Sequence, residues 1–359
     1  MLEDKNILRV GLMMRYKSAY TETIRVMSYM AKHFNVELFF FTPADIDFDN
    51  KTVKAIRLDG GKKTEEVIPL PIIIDNDPDA LIGKRGKKIR RLAKSCRFIH
   101  PLNRLPKGAV VSKQKINELL AQSEQFKEFV IETHRVKTFE EILPAIEKYP
   151  NGIVLKPLWG SHGKGVTKIK SEGGQYVAHL QNEKFSLETV EELAKFYAEH
   201  CTKYIQILQP YIASRTQQGN PFDIRLHARR GAEGKFNLFP YPRIGRLDTI
   251  VSNINAGGYT MPIKAFLQTE FGDDWNILYD KLIQLGNTLP EYCQSLLKNN
   301  LYNVGIDVGI QRLDSGYDLK IFEINMRYLG SRCLPIDAAI TSLEYYRYIY
   351  DKLRKDKSE

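Results

Sequence analysis

Few features of this sequence point to chemistry carried by a specialised side chain. Only four cysteines occur (Cys96, Cys201, Cys293, Cys333), none in a CxxC or CxxH spacing. That excludes a zinc signature, fits reduced thiols in a reducing compartment and argues against thiol chemistry as the function. The seven histidines form no HxxxH pair and no triad-like group, and neither His162 nor His227 is assigned as a catalytic base. No apolar run approaches the roughly 20 residues of a membrane span. The first residues, Met1-Leu-Glu-Asp-Lys-Asn6, lack the basic and then apolar order of a secretory signal, so a cytoplasmic protein without membrane contact is expected. No GxGxxG follows any candidate strand, no GxxxxGK[ST] occurs, and internal repeats and low-complexity tracts are missing. A dinucleotide fingerprint and a Walker A loop are thereby excluded.

What is there is a chain of 359 residues, 43% hydrophobic and 27% charged, long enough for two or three ordinary domains with a substantial core. Its net charge of +10 implies attraction to something acidic, but such a field serves nucleotides, acidic peptides, nucleic acids and anionic surfaces alike. Eight of the basic residues fall between Lys84 and Arg97, without an acidic one. As a helix this segment puts Ile89, Leu92 and Ala93 on one side, a docked surface helix with a solvated basic face. That reading is preferred to a nucleic-acid patch, because no aromatic residue interleaves the run before Phe98.

Periodicity outlines the rest. Residues 7 to 14 and 36 to 42 read as buried strands flanking a helix over 21 to 34, the order of a small Rossmann-like α/β domain. A hairpin or loop at Asp59-Gly-Gly-Lys-Lys separates 53 to 58 from 65 to 71, and Ile72 to Asp75 is another strand. The Pro- and Gly-containing stretch 98 to 108 marks a domain boundary. Beyond it helices are expected over 112 to 122 and 139 to 149, the second bent or started by Pro144. Strands are expected at 152 to 158, 166 to 170 and 175 to 180, a helix over 186 to 201, then a strand at 204 to 211. The remainder reads as strands from 222 to 241, a long helical region over 264 to 299, and a terminal helix over 338 to 354.

Two stretches carry the chemistry. In 303 to 325, two strands joined by a Ser-Gly turn place Asp307 on the first and Glu323 and Asn325 on the second. Residues two apart on a strand share a face, so a hairpin brings three hard oxygen donors to one patch, a magnesium site in outline. Acidic residues on a polar strand face are often only solvated, and the upstream stretch Val154-Leu-Lys-Pro-Leu-Trp-Gly-Ser-His-Gly-Lys-Gly-Val166 tips the balance. Lys156 at a strand end, followed by Gly160, Gly163 and Gly165, offers a cation and a run of backbone donors able to wrap a polyphosphate. A plain hairpin turn needs one or two glycines but has no use for Lys156, Ser161 and Lys164.

These segments stand in an order that resembles the ATP-grasp superfamily: Lys115 on a helix, the Lys-Pro strand with its glycine loop, the strand at Gln209 to Ile212, Asp223-Ile-Arg225, Ser252-Asn-Ile-Asn-Ala-Gly-Gly258, and a terminal Asp followed by Glu-Ile-Asn. Within it, the Phe-Asp-Ile-Arg, Arg-Ile-Gly-Arg and Ser-Asn-Ile-Asn-Ala-Gly-Gly segments are most similar to the YheC/YheD group, which is associated with endospore coats. The resemblance covers residues 110 to 350. It implies an α+β ATP-grasp fold, two lobes clasping ATP, over 109 to 359 with a lid subdomain at about 130 to 212, preceded by a Rossmann-like α/β pre-ATP-grasp domain over 1 to 108.

The same resemblance implies roles. Lys115 and Lys156 would hold the α- and β-phosphates of ATP, and Gly160 to Gly165, with Ser161 and Lys164, would close over the γ-phosphate. Gln209, Tyr211 and Ile212 match the adenine-binding strand, although Pro210 stands where the family often has an acidic residue. Asp307, Glu323 and Asn325 would bind magnesium, two ions being expected. Arg225, Arg243 and Arg246 would face the transferred phosphoryl group or the acceptor carboxylate; Asn253 and Asn255, with Gly257 and Gly258, would form a loop approaching phosphate and metal, Asn253 serving catalysis and the other three substrate binding; and Arg327 would bind the acyl substrate. An arginine fork suits either target; Arg246 is equally readable as a surface charge, whereas Arg225, inside an apolar strand, needs an anionic partner. The implied activity is ADP-forming ligation of a carboxylate to an amine, carried by an amino acid, peptide or protein, with an association with the spore. A phosphotransferase on the same fold, or a coat component that only binds ATP, are the alternatives.

Overall fold

The computed structural model describes residues 7–81, 84–100, 113–158, 165–180, 183–247, 249–252, 254, 257–297, 300–326 and 333–356. Three sheets organise them. The first is built from β1 (Leu8–Met13), β2 (Val36–Phe41), β3 (Ile46–Asp47), β4 (Thr52–Asp59), β5 (Lys62–Pro69), β6 (Ile73–Asn76) and β7 (Arg97–Phe98), with α1 (Glu22–Met30) between β1 and β2 and α2 (Lys84–Arg91) between β6 and β7. Its core is parallel in the order β2-β1-β6-β7, while β4 and β5 add an antiparallel hairpin on the far side. Gly60 and Gly61 form that hairpin's turn with φ of 52° and 88°, backbone that side chains with a Cβ resist. Thr21 caps α1 by accepting from the Ile24 amide at 3.3 Å.

The basic segment docks as expected through Ile89 and Leu92. Ala93 is exposed instead, because the chain tightens into a 3₁₀ turn at Leu92–Lys94 and so rotates the next side chain outward. Of the expected boundary stretch 98 to 108, Phe98 ends β7 and the Ile99 amide donates to the Ile74 carbonyl at 3.0 Å, while residues 101 to 108 lie outside the described residues.

The second sheet is antiparallel, ordered β12-β11-β10-β9-β13-β8, from β8 (His134–Val136), β9 (Ile153–Pro157), β10 (Thr167–Glu172), β11 (Gln175–Leu180), β12 (Glu183–Leu187) and β13 (Gln206–Pro210). On one face α4 (Leu143–Lys148) and α5 (Val190–His200) bury Ile146, Leu193 and Phe196 against Ile153, Leu155 and Ile169. Pro144 lies in the first turn of α4, where its missing N–H costs nothing. Strand β12 was not foreseen: Ser186 and Leu187 pair with Val177 and Tyr176. The helix starts later, where Thr189 accepts from the Glu192 amide at 3.2 Å.

The third sheet, ordered β15-β14-β16-β17, is antiparallel and comprises β14 (Phe222–Arg230), β15 (Phe236–Ile244), β16 (Asn303–Arg312) and β17 (Tyr317–Asn325). Helices α3 (Lys113–Ala121), α6 (Ile263–Phe271) and α7 (Trp275–Leu297) pack on one face, where Ile224, Leu226, Ile306 and Val308 meet Leu120, Phe266, Leu282 and Leu289. The expected helical region over 264 to 299 forms two helices, parted at Gly272, whose φ of 54° cannot continue a right-handed helix. Helix α8 (Pro335–Lys355) leaves this unit: Ala339, Leu343, Tyr346 and Ile349 join β1, β2 and α1 in the core of the first sheet.

No helix among the described residues is long and apolar enough to cross a membrane.

Candidate functional site

Strand alternation decides what the third sheet shows to its other face. In β14 the apolar residues Ile224 and Leu226 go to the helices, so Asp223, Arg225, His227 and Arg229 share the opposite face. All four are buried, hence each charge needs a partner. Asp307 supplies it for Arg225, from the directly opposite position on β16. The Arg225 Nε and Nη2 both donate to the Asp307 carboxylate, the latter at 3.0 Å. Arg243 on β15 donates to Asp223 through Nε at 2.6 Å and Nη2 at 2.7 Å, and its Nη2 also lies 2.8 Å from Asp307 Oδ2. The Ser252 hydroxyl closes the array by donating to Asp223. Two arginines and two aspartates thus alternate in a buried, neutral quartet.

Burial opposes charge on Asp307, but the Arg243 and Arg225 guanidiniums outweigh it and hold this carboxyl below the usual aspartate range. For Asp223 burial wins over the Arg243 guanidinium, and the neighbouring Asp307 charge adds to the upward push. Tyr241, beside Arg225, is pushed up to about 12 by burial.

The expected donors do converge. Asp307 pairs in register with Glu323, and Asn325 with Gly305, so Asp307, Glu323 and Asn325 line one face. The register shifts between Asp307 and Val308, which pairs with Ile321, leaving Phe322 as the extra residue of a β-bulge. A Cβ on Gly309 would come within 2.1 Å of Phe322 Cζ, so this bulge needs glycine beneath its ring. The Phe322 carbonyl accepts from Lys156 Nζ at 3.1 Å, which ties the second sheet to the strand carrying Glu323. Among the described residues no three His, Cys, Asp or Glu side chains group as a metal cluster. The donor set fits magnesium nonetheless: two carboxylates and an amide oxygen are the hard ligands it takes alongside phosphate oxygens.

Other expected residues sit less directly. Lys115 is on the exposed side of α3, 3.2 Å from Glu118. Gln209 is buried and its amide donates to Thr133 Oγ1 at 2.7 Å. The Tyr211 amide donates to the Gly152 carbonyl at 2.9 Å, and Pro210 has no N–H, so neither backbone donor points to a ligand. Ile212 follows, half-buried, its carbonyl accepting from Ser214. Arg246 is exposed and lies along Gly257, whose φ is 88°; Gly258 is half-buried beside it. Gly165 has a φ of 72°. Gly160, Ser161, Gly163, Lys164, Asn253, Asn255 and Arg327 lie outside the described residues.

One residue on the same face of the second sheet escaped sequence reading. Lys168 pairs with Val154 of β9, and its Nζ stands 3.5 Å from the centre of the Tyr211 ring. Burial, with Arg215 nearby, lowers its ammonium to about 8. The cross-strand register was the missing signal: without it, Lys168 reads as one more surface lysine.

The chain is 23% identical over 291 residues to the endospore coat-associated protein YheC of Bacillus subtilis, covering 77% of each chain. Against YheD of the same organism it is 22% identical over 307 residues, 80% of this chain but only 64% of YheD. Solved structures similar to it include the D-alanine–D-alanine ligase of Bacillus anthracis, 13% identical with a TM-score of 0.45 and covering 98% of this chain and 99% of that one. A RimK domain ATP-grasp protein of Sphaerobacter thermophilus is 12% identical, with a TM-score of 0.42 over 94% of this chain and 99% of that one. The sequence profile of the YheC/D like ATP-grasp family matches residues 104–348, and the chain belongs to that family.

Proposed function

We propose that the protein is an ATP-dependent ligase that joins a carboxylate to an amine through an acylphosphate, with ADP and phosphate as co-products. The observation that carries the reading is the quartet of Asp223, Arg243, Asp307 and Arg225 beside Glu323, with Lys156 reaching in from the facing sheet. Magnesium held by Asp307, Glu323 and Asn325 would neutralise charge on the triphosphate. Lys156 would exchange a neutral carbonyl for phosphate oxygens, and Arg225 and Arg243, held by Asp307 and Asp223 through Nε and Nη2, would turn their remaining N–H donors to the γ-phosphoryl group. A substrate carboxylate oxygen attacks the γ-phosphorus as ADP leaves; the amine nitrogen then attacks the acyl carbon, phosphate leaves and the nitrogen gives up a proton. The chain supplies position and charge rather than a nucleophile of its own. The basic balance of the chain, taken with the coat association of YheC and YheD, favours a peptide or protein carboxylate as acceptor.

The test is ADP release with carboxylates and amines offered singly and together, followed by mass spectrometry of the products. Amide formed only when both are present supports ligation; phosphate retained on the acceptor converts the assignment to a phosphotransferase. Glu323→Ala is expected to lower turnover by 100-fold or more, about 2.7 kcal/mol, and equal turnover removes this site from the mechanism.

A further inference from the structure

At the far end of β14 from the quartet, β7, α7 and the last turns of α8 enclose a cavity of about 300 Å³, the lower end of the range for small-molecule sites. Arg97 opens β7, paired with Ile73, the first residue of β6, so this is the amino edge of the parallel strands. Open sheets of this type receive their usual ligands at the other edge. Arg230 closes β14 five residues past Arg225, which puts about 17 Å of strand between the cavity and the quartet. The two sites are separate.

Part of the lining is apolar. Tyr345, Tyr348, Ile349 and Leu353 recur at helical spacing on α8. Their rings continue a stack, Tyr302 lying 5.2 Å from Tyr345 at 22° and Tyr345 6.1 Å from Tyr348 at 24°. Gly234 leaves the Tyr348 ring its place, since a Cβ there would come within 2.6 Å of Cε1. Near-parallel rings of this kind suit a further planar group.

The rest is polar: Arg97, Arg230, Lys352, Gln294, Asn300 and one carboxylate, Asp356. Arg230 is fixed in place, its side chain only 11% exposed. Its Nε donates to the Leu301 carbonyl at 2.8 Å, Nη1 to the Gly234 carbonyl and Nη2 to Gln294 Oε1 at 2.7 Å, while the guanidinium lies 4.0 Å from the centre of the Phe236 ring. Arg97 and Lys352 are exposed, and neither has an ion-pair partner among the described residues. The fields of Arg230 and Arg97 both reach the Tyr345 hydroxyl. Three cations against one carboxylate leave a formal surplus of two. Helices α7 and α8 both end here, and their C-terminal half-charges offset about one of these. Glu291, 3.3 Å from Arg230 Nη2, is more than half exposed and screened by water. About one positive charge is left to be met.

We propose that this cavity binds a small aromatic monocarboxylate, its ring against Tyr345 and Tyr348 and its carboxylate among Arg97, Arg230 and Lys352. Arginine forks pair with planar carboxylates, and the apolar wall takes the ring. A dianion would exceed the surplus, and a neutral ring would leave it unmet. The site does not depend on the ligase reading, and its ligand is an effector held apart from the cleft rather than a substrate.

Ligand-observed NMR titration of the full chain tests it, with benzoate and 2-naphthoate as probes. Naphthoate should bind with a Kd of about 1 mM or below; acetate, benzamide and benzylammonium should each be weaker by about tenfold or more, and the phenyl phosphate dianion should bind no more tightly than benzoate. Arg97→Met and Lys352→Glu change exposed side chains, so the fold survives, and each should weaken naphthoate about tenfold or more, whereas Lys352→Arg and, in the cleft, Lys156→Met should leave it unchanged. No binding of either aromatic carboxylate at about 10 mM, an affinity unmoved in Arg97→Met or in Lys352→Glu, or binding lost in Lys156→Met overturns the site. Acetate or benzamide binding as tightly as naphthoate, or phenyl phosphate more tightly than benzoate, overturns the class of ligand.

Discussion

Replacing Arg243 by methionine isolates the energetics of the quartet. The substitution keeps most of the side-chain volume but deletes three charge-assisted contacts, at 2.6 and 2.7 Å to Asp223 and 2.8 Å to Asp307. Asp307 keeps Arg225, while Asp223, 4% exposed, keeps among the described residues only the Ser252 hydroxyl. The largest loss is therefore that of one buried carboxylate stripped of its cation, which costs about 3–5 kcal/mol. For a cooperative block of the size of the third-sheet unit that corresponds to a fall in Tm of about 6–20 °C. Asp307 adds a pH signature. Its carboxyl lies below the usual range in the fold, so its stabilisation is present above the unfolded value of about 3.9 and is lost as pH falls through the folded one. In the variant both carboxylates titrate more easily, so the gap from the parent protein narrows as the pH drops toward 4 and below. Calorimetry from pH 8 to pH 4 on the parent, Arg243→Met and the double variant Arg243→Met, Asp223→Leu checks this. The double variant should recover at least about 1 kcal/mol, because it removes the orphaned charge. A single variant within about 0.5 kcal/mol of the parent, or a double variant less stable than the single, would refute the reasoning.

Gly309→Ala would put a methyl group into the Phe322 ring, and an overpacking cost of about 1–3 kcal/mol is expected; an unmoved urea midpoint would show that the bulge does not depend on that contact. Lys168, lowered to about 8 by burial, is charged below that pH at a cost the unfolded chain does not bear. Stability should therefore rise with pH between about 8 and 10.4, and Lys168→Met should flatten the rise in a Tm series; a parallel rise in the variant assigns the effect elsewhere. The two neutral histidines act in the opposite window: His227 and His100 bind protons near 6.5 when unfolded but only at about 3 and 4 in the fold. Stability is thus fully present above about 6.5 and falls as the pH drops toward 4, less steeply in His227→Leu, which acid titration followed by circular dichroism can measure.

The legible parts of the molecule were those where a local pattern sufficed. Asp307, Glu323 and Asn325 share a face because strand side chains alternate, and the hairpin register confirms it. The partner of Arg225 was predicted in kind, an anion, but not in identity: it is the same Asp307 that was expected to serve a metal, 82 residues away. Strand β12 was missed because Ser186 and Leu187 satisfy a helical pattern as readily as a strand edge, and only pairing with β11 decides. The break at Gly272 was hidden by apolar spacing that continues across it. Least visible was the partner of Asp75, which looks like the polar end of any buried strand until Tyr346 of α8, 271 residues later, is laid against it.

The tie between Lys156 and the Phe322 carbonyl spans 166 residues of sequence and joins two sheets that share no strand. On the ligase reading proposed above, a polyanion taken up by Lys156 would replace the neutral Phe322 carbonyl as an acceptor of that ammonium. Filling the site would then also loosen a contact between the two sheets, so that substrate binding and the freedom of one sheet relative to the other would be coupled through one side chain.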